Sequence, residues 1–282
     1  MEATCTRHGM IPLSPVMIDV HHHLLPGLDD GSPDLATSVS MSRMAANDGI
    51  THVVCTPHAS GRYTFTPEAV AAKLAELRTA LGAEAIALTL GSGCDFHLSY
   101  DNIQDALTHP TKYTVNGKNY LMVELPDFGI SPSLSEAFYE FQLAGITSVL
   151  THPERNPTLQ KNPERLAEWM RNGMLVQVTT SSVLGKMGKA AERMAHQLLA
   201  DRWVHFLATD AHNLTSRPPK MREACEAVAK RYGAEYAQRL CVDNPLAVFE
   251  GRPLGAQDEP LNLFDDHGES RSKSWWGRLF GR

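Results

Sequence analysis

The sequence predicts a single-domain α/β fold of barrel type, and three features of the 282-residue chain lead to this prediction. Short β-branched or apolar runs alternate with helical patterns from about residue 16 to residue 250, as in repeated βα units around a parallel sheet. About seven strands follow from this rule. The length allows one or two domains, and an α/β barrel of roughly 250 residues with short tails fits it equally well. The content of hydrophobic residues, 43%, is enough to bury a sizeable core.

The expected strands are short runs spread along this region. In order, they are VMIDV (16–20), HVVCT (52–56), IALTL (86–90), YLMVEL (120–125), TSVLT (147–151), LVQVT (175–179) and VHFLAT (204–209). The pair Asn116-Gly117, between TKYTV and KNYLMV, is typical of a type I′ hairpin. We therefore expect an antiparallel neighbour for the fourth strand and a break in the regularity of the barrel.

One helix is predicted by its start as well as by its periodicity. Thr66, Pro67 and Glu68 are typical of a cap, a first-turn proline and a first-turn acid. The apolar residues that follow recur at helical spacing: Val70, Leu74, Leu77 and Leu81. Gly82 is expected to end this helix.

Charge and cysteine content argue against several classes of function. The chain has 26 Lys and Arg against 32 Asp and Glu, a net charge of −6, and no basic block in its body, so nucleic acid is not an expected partner. The five cysteines form no CxxC pair and no regular disulfide framework, which favours a reducing cytoplasm. The N-terminus lacks an apolar signal sequence, and no run of about 18 apolar residues predicts a membrane-spanning helix.

The composition changes at both ends of the predicted domain. We interpret residues 1–15 as an N-terminal extension, 16–254 as the domain, and 255–282 as a linker followed by a basic aromatic tail. If residues 271–282 are helical, their aromatic and basic side chains fall on different faces, as in a peripheral membrane anchor. So short a segment with two glycines is marginal for a helix, and a disordered tail is the alternative.

The first strand ends in a run of histidines that suggests a metal site. Strand alternation directs Asp19, His21 and His23 to one side and His22 to the other. A carboxylate and two imidazoles without a thiolate suit Zn, Mn or Fe. For this motif alone, a chance cluster of surface histidines is the alternative.

Other metal-ligand types follow four further strand ends. They are His58 in TPH, Asp95 in GSGCDF, His152 with Glu154 and Arg155 in THPER, and Asp210 with His212 in TDAHN. The carboxyl ends of barrel strands meet at one mouth, so residues remote in sequence can meet there in space. In Asp29-Asp30-Gly31 either aspartate is a further ligand candidate or a turn former.

With Asp30 the candidate set has five histidines and three acids, which is more than one tetrahedral ion can use. The set consists of His21, His23, His58, His152, His212, Asp30, Asp95 and Asp210. Clustered divalent ions suit hydrolysis of a phosphate ester, because they lower the pKa of a bound water and neutralise developing oxyanion charge. Arg155 and Arg217 are candidates to hold phosphate oxygens, and each alone is equally consistent with a solvated surface charge.

The motifs IDVHHHLLPGLDDG, TPH, THPER and TDAHNLTSRPP together resemble the PHP (polymerase and histidinol phosphatase) superfamily. They are most similar to the manganese-dependent protein-tyrosine phosphatases of bacterial capsule and exopolysaccharide loci, in order from about residue 17 to residue 250. The resemblance implies a distorted TIM-like barrel of the PHP type with about seven βα units. It implies a trinuclear site and attack of a metal-bound hydroxide on phosphotyrosine without a phosphoenzyme intermediate. The implied partner is a phosphotyrosine protein, the tail of a tyrosine kinase that controls polysaccharide export, in the cytoplasm or at the inner membrane surface.

The resemblance also implies roles for individual residues. The metal ligands would be His21, His23, Asp30, His58, Asp95, His152, Asp210 and His212. Arg155 and Arg217 would bind the phosphate and, with Asp210, form the catalytic residues. The cofactor would be Mn²⁺, up to three ions per chain, with Fe or Zn as alternatives. Where the family usually has G-x-E, this chain has Gly93-Cys94-Asp95, which leaves open whether the shorter carboxylate bridges two metals; Cys94 is expected to turn away as a small buried hydrophobe.

Three other functions are alternatives. A cysteine-dependent phosphatase needs a C-x5-R loop, and Cys225 to Arg231 has this spacing, but the stretch is Ala-rich, helical in pattern and without glycine. A small-molecule phosphomonoesterase of the histidinol-phosphatase kind would use the same metals. A regulatory scaffold that binds a kinase tail, with metal chemistry weakened by Asp95, is the non-enzymatic alternative.

Overall fold

Nine short parallel strands form the centre of the molecule in a computed structural model that describes residues 16–126 and 129–263. They are β1 (Met17–His22), β2 (Ile50–Cys55), β3 (His58–Ala59), β4 (Thr89–Ser92), β5 (Asp95–His97), β6 (Tyr120–Glu124), β7 (Thr147–Thr151), β8 (Leu175–Thr179) and β9 (Phe206–Ala208). One sheet has the strand order β1-β2-β4 and the other β3-β5-β6-β7-β8-β9. Every pairing between these strands is parallel.

The two sheets together form a distorted barrel with seven strand positions. β2 and β3 are two parts of one interrupted strand, with the break at Thr56-Pro57, and β4 and β5 are two parts of another, with the break at Gly93-Cys94. A backbone bridge between His22 and Ala211 brings the chain that follows β9 beside β1. The predicted α/β barrel and its seven strands are thus confirmed, although the third strand begins at Thr89 rather than Ile86.

Helices surround these strands. They are α1 (Leu35–Asp48), α2 (Pro67–Ala83), α3 (Tyr100–Thr108), α4 (Leu134–Leu143), α5 (Pro157–Lys161), α6 (Glu164–Arg171), α7 (Thr180–Val183), α8 (Lys189–Ala200), α9 (Arg222–Tyr232), α10 (Ala234–Gln238) and α11 (Asn244–Glu250). The predicted helix is α2, with Pro67 in its first turn and its apolar stripe buried. Two details differ: Thr66 makes no side-chain cap hydrogen bond, and the helix continues past Gly82 to Ala83.

Alternate strand positions divide the core into two apolar clusters. Ile18, Val54 and Met122 belong to the cluster inside the barrel. The larger cluster joins the outer faces of the strands to the helices and includes Leu77 of α2 and Leu121 of β6. Because both faces of the strands are buried, the polar residues at their ends are held on a rigid frame.

The expected hairpin at Asn116-Gly117 is wrong. These residues lie in a short 3-10 helix, Val115–Gly117, and the strand after it, β6, pairs in parallel with β5 and β7. Asn116 does adopt the left-handed conformation, with φ of 52°, that makes this pair frequent in tight turns. Its side chain, however, accepts a hydrogen bond from the Ser92 N–H at 2.9 Å and donates one to the Phe249 carbonyl at 2.8 Å. The turn is therefore held by tertiary hydrogen bonds to β4 and α11 rather than by an antiparallel partner strand.

The chain after α11 has no helix or strand as far as residue 263, yet it lies against the barrel. The indole N–H of Trp203 donates to the Leu261 carbonyl at 2.9 Å, and Arg171 Nε donates to the Leu263 carbonyl at 2.7 Å. Both donors precede the amino-terminal ends of strands. Residues 255–263, expected to be a linker, are thus held at the end of the barrel opposite the strand carboxyl ends, while the rest of the linker and the aromatic tail lie outside the described residues.

Two cysteines expected to be unpaired are joined. Cys225 of α9 and Cys241 of the π-helix Arg239–Asp243 form a disulfide. Cys55 and Cys94 are free and buried. Among the described residues no helix is both long and apolar enough to span a membrane.

Candidate metal centre

Nine His, Asp and Glu side chains meet at the carboxyl-terminal mouth of the barrel and form four overlapping groups able to hold a metal ion. The groups are His23-Asp30-His58-His212, His21-His23-Asp95, His21-His152-Asp210 and His58-Asp95-Glu124. Within each group the ligand atoms lie within 4.8 Å of one another. The structure therefore brings together all eight residues proposed as ligands from the sequence, and it adds Glu124.

The end of β1 directs two imidazoles toward each other. Between Asp19 and His22, β1 has one residue more than the facing segment of β2, from Val53 to Cys55, and such a bulge changes which way the following side chains point. His21 Nε2 lies 3.2 Å from His23 Nε2. Asp19 does not join the candidate groups, because its carboxylate accepts hydrogen bonds from the backbone N–H and the hydroxyl of Thr209.

The other nitrogen of each of these rings shows which nitrogen carries the proton. His21 Nδ1 lies 3.0 Å from Gln177 Oε1, and His23 Nδ1 lies 2.7 Å from Asp29 Oδ2. An amide oxygen and an ionised carboxylate only accept hydrogen bonds, so both Nδ1 atoms donate. When both rings are neutral, both Nε2 lone pairs face each other, and a cation between the two nitrogens relieves their repulsion. This pair fits a metal ion.

Asp95 lies beside the same two rings. It is fully buried, and its Oδ2 has no hydrogen-bond partner within the described structure while lying 3.4 Å from His21 Nε2 and 3.2 Å from His58 Nδ1. Burial opposes ionisation, but the charges of the neighbouring His21 and His58 outweigh it and hold the pKa of Asp95 well below its usual range. A buried carboxylate oxygen facing imidazoles from two groups is suited to contact more than one ion.

Asp210 connects the cluster to the two arginines. It follows β9 with φ of 51°, and Arg155 Nη1 and Arg217 Nη2 both donate to its Oδ2, whereas its Oδ1 lies 3.5 Å from His21 Nε2. Despite full burial, the charges around it hold the pKa of Asp210 well below its usual range, and His21 contributes most to this lowering. His152, the residue before the 3-10 helix that carries Arg155, also has a left-handed backbone, with φ of 36°. Both arginines therefore point at the cluster.

The outermost group is the most accessible one. His58 Nε2 and His212 Nε2 lie 3.3 Å and 3.6 Å from Asp30 Oδ1, and the Asp30 side chain is 48% exposed. The hydrogen bond from His58 leads the effects that lower the pKa of Asp30 below its ordinary value. Of the two aspartates in the DDG loop, Asp30 is thus the ligand candidate and Asp29 the partner that orients His23.

Glu124, the last residue of β6, was missed from the sequence. Its Oε2 lies 3.6 Å from His58 Nδ1, and its Oε1 lies 3.6 Å from His152 Nε2. Burial, and after it the neighbouring Asp95 charge, raise the pKa of Glu124 to about 8. Its one sequence signal was an acid at the end of a strand otherwise made of apolar residues.

Besides Asp19, three residues singled out in the sequence lie outside the cluster. Glu154 is buried with its Oε1 accepting the Thr179 N–H at 3.1 Å, and this bond ties the loop of Arg155 to the end of β8. Cys94 is fully buried, and burial raises the pKa of its thiol well above the ordinary value. Cys225 lies in the middle of α9 and in a disulfide, which excludes it as a phosphatase nucleophile.

The donor set fits divalent ions of intermediate hardness, because it consists of imidazoles and carboxylates without a thiolate. Fold and cluster together define the class: a parallel α/β barrel with a multi-metal centre as its candidate site. The chain belongs to the CpsB/CapC family of capsular polysaccharide synthesis, whose model matches residues 17–250.

Named relatives and one solved structure agree with this assignment, and a second solved structure shares only the fold. The chain is 33% identical over 225 residues to the tyrosine-protein phosphatase YwqE of Bacillus subtilis, an alignment that covers 79% of this chain and 88% of YwqE. It is 29% identical over 238 residues to the tyrosine-protein phosphatase CpsB of Streptococcus pneumoniae, covering 82% and 98% of the two chains. A solved structure from work on YwqE and CpsB, described as metal-dependent tyrosine phosphatases, superposes with a TM-score of 0.82 at 30% identity, covering 87% of this chain and 98% of that one. The phosphotriesterase homology protein of Escherichia coli, at 10% identity and a TM-score of 0.54, shares the fold over 83% of this chain and 98% of its own.

Proposed function

We propose that this chain is a metal-dependent protein-tyrosine phosphatase, a phosphoric monoester hydrolase. The observation that carries the proposal is the juxtaposition of the four ligand groups with two arginines, Arg155 and Arg217, at one barrel mouth. The relatives named as tyrosine-protein phosphatases support it.

The cluster would hold up to three divalent ions, with Mn²⁺ as the proposed metal and Fe or Zn as alternatives. His21, His152 and Asp210 would hold one ion, and His23, Asp30, His58 and His212 would hold another. Asp95 and Glu124, which form a group with His58, would contribute carboxylate ligands between these two sites. When bound, such ions lower the pKa of a water molecule and neutralise negative charge on the phosphate.

The chain's own residues position the substrate. Arg155 and Arg217 would bind two phosphate oxygens; their side chains are 30% and 24% exposed, so a phosphate can reach them from the mouth. In the present structure Asp210 accepts hydrogen bonds from both guanidiniums, and as the third catalytic residue it would keep them aimed at the cluster. Gln177 and Asp29 would hold the imidazoles of His21 and His23 with Nε2 free to bind metal.

The proposed substrate is a phosphotyrosine protein, namely the tail of a bacterial tyrosine kinase that regulates capsule or exopolysaccharide synthesis. The CpsB/CapC family match supports this assignment through its link to capsular polysaccharide synthesis. The proposed location is the cytoplasm, with peripheral contact of residues 271–282 at the inner membrane surface. Liposome co-sedimentation of the full chain and of a chain lacking residues 271–282 tests that contact, and equal binding of both would remove it.

Substitution of a cluster histidine tests the proposed activity. We expect His152→Ala to lose nearly all hydrolysis of a phosphotyrosine peptide, whereas His109→Ala, which removes an exposed imidazole beside Asp105, retains it. Turnover of histidinol phosphate measured in parallel separates the peptide substrate from small phosphoesters. Hydrolysis of small phosphoesters alone would favour the histidinol-phosphatase kind of activity, and full activity of His152→Ala would contradict the metal-centre assignment.

A further inference from the structure

An aromatic side chain next to the cluster has no role in the chemistry described so far. Tyr63 lies in the loop that follows β3, and its ring is nearly parallel to the imidazole of His58, with 14° between the planes and 5.8 Å between the centroids. Tyr63 is half-buried, so part of the ring faces solvent at the rim of the mouth. His58 belongs to two of the four ligand groups, which places this ring beside the proposed metal cluster.

The loop holds Tyr63 in place before any substrate arrives. The Ser60 N–H donates to the Tyr63 carbonyl at 3.0 Å, and the Ser60 hydroxyl oxygen accepts the N–H groups of Arg62 and Tyr63, each at 3.3 Å. A turn closed in this way restricts the backbone of the loop. Tyr63 is therefore presented by a preorganised turn rather than by an unconstrained loop.

Contacts at both ends fix this turn on the barrel. At its start, Asn102 Nδ2 donates to the Ala59 carbonyl at 2.9 Å. Beyond Tyr63, the ring of Phe65 packs against Tyr113, with centroids 5.1 Å apart. Because the loop is already ordered, an aromatic ligand that packs on Tyr63 binds without the entropy cost of ordering it.

Arg62 completes the rim. Its guanidinium carbon lies 5.2 Å from the centroid of the Tyr63 ring, and its side chain is exposed. Among the described residues it makes no ion pair with a carboxylate, in contrast to Arg155 and Arg217. The exposed guanidinium is free to move when a ligand ring reaches Tyr63.

We propose that Tyr63 is a specificity-determining residue that packs against the phenyl ring of an aryl phosphate whose phosphate group lies at the cluster. Aromatic pairs are favourable at centroid separations of 4.5–7 Å, and an alkyl phosphate has no ring to form one. The inference rests on the proposed phosphatase function and deepens it, because it assigns the preference for tyrosine over serine phosphate to one side chain.

The test compares two substrates in three variants. The substrates are a phosphotyrosine peptide and the same peptide with phosphoserine, and the variants are Tyr63→Ala, Tyr63→Phe and Tyr139→Ala, which removes an exposed ring from α4. We expect Tyr63→Ala to lower kcat/KM for phosphotyrosine about three- to tenfold, mainly through KM, with phosphoserine turnover unchanged. Tyr63→Phe keeps the ring and should stay within about twofold of wild type, as should Tyr139→Ala.

A purely structural role of Tyr63 would give a different pattern. If the ring only supports His58, its loss lowers kcat for both peptides in the same proportion and leaves their ratio unchanged, which would overturn the proposal. Inhibition by phenylphosphonate and by inorganic phosphate gives an independent readout: Tyr63→Ala should weaken the former alone. If the wild-type chain cleaves neither peptide, the proposed function itself fails; if it cleaves phosphotyrosine with a ratio that Tyr63→Ala does not change, only this inference fails.

Discussion

Replacement of Asp29 by Asn should weaken metal binding although Asp29 lies outside the proposed ligand set. Asp29 Oδ2 accepts the His23 Nδ1–H at 2.7 Å and the His58 N–H at 3.1 Å, and its Oδ1 accepts the Gly31 N–H at 2.9 Å. All three partners are donors, and a carboxylate accepts from all of them at once. An asparagine amide cannot do so, because one of its two positions becomes a donor.

Either orientation of the new amide is unfavourable. With its nitrogen toward His23, the ring must turn its Nδ1 into an acceptor and move the proton to Nε2, the atom proposed to bind metal. With its nitrogen toward Gly31, two donors face each other and the negative charge beside His23 is still lost. The negative charge of Asp29 has a large effect on His23. Burial lowers the pKa of His23, but Asp29 leads the interactions that raise it to about 9.

The magnitude follows from these contacts. Loss of a carboxylate that orients a ligand histidine typically weakens metal affinity 10–100-fold, or about 1.4–2.7 kcal/mol. We expect a change in this range for Mn²⁺ in isothermal titration calorimetry of the chelated and dialysed protein. Phosphotyrosine turnover should fall at low Mn²⁺ and recover in part at high Mn²⁺.

Asp34→Asn is the matched control. Asp34 lies in the same segment and caps α1 by accepting the Thr37 N–H at 2.8 Å, and asparagine caps a helix about as well as aspartate. The control makes the same change in charge without touching His23, so its Mn²⁺ affinity should equal that of the wild type. Wild-type affinity in Asp29→Asn would refute the orienting role argued above.

Three further outcomes follow from the structure. Glu124→Gln should lower the number of Mn²⁺ ions bound at saturation, as measured by mass spectrometry, because it removes a carboxylate within 3.6 Å of two cluster imidazoles, and an unchanged number would exclude Glu124 as a ligand. Arg217→Lys should raise KM for phosphotyrosine about tenfold with little change in metal content, since a lysine cannot reproduce bidentate binding, and an unchanged KM would contradict a role in phosphate binding. Burial lowers the pKa of His205 from 6.5 to about 4, and its Nδ1 accepts the Val176 N–H. As the pH falls, the His205 imidazole is therefore protonated in the unfolded chain before it is protonated in the folded one. Up to about 3 kcal/mol of stability should therefore be lost as the pH falls from 6.5 to 4. In urea unfolding of the metal-free protein, the free energy of unfolding of His205→Asn should change less with pH over that window than that of wild type. Equal pH dependence of the two proteins would contradict the assignment.

The barrel was predictable because its strands keep a regular pattern of burial. Val53, Leu121 and Val176 are wholly buried, so apolar runs mark the strands directly. β3 and β5 were not predictable, because two or three residues carry no periodicity. The turn at Asn116 was misassigned because its local preference is satisfied by partners remote in sequence.

The cluster was largely predictable because most of its members stand in short motifs at strand ends. Glu124 stands alone, between an apolar strand and Leu125-Pro126, and an acid at the end of an apolar strand is equally typical of a solvated carboxylate. The orienting roles of Asp29 and Gln177 were also hidden, since they depend on how the loop after β1 folds back on His23 and on the distance between β1 and β8. Sequence motifs reveal candidate ligands, whereas the residues that orient them emerge only from the fold.

The most direct test of the account measures metal content and phosphotyrosine hydrolysis on the same sample. The full chain is stripped with a chelator, reloaded with increasing Mn²⁺, and assayed for bound ions by mass spectrometry and for turnover of a phosphotyrosine peptide. We predict two or three ions per chain and a turnover that rises with their number and disappears on chelation. A stripped chain that binds no Mn²⁺, or that hydrolyses the peptide equally well without it, would contradict the metal-centre account.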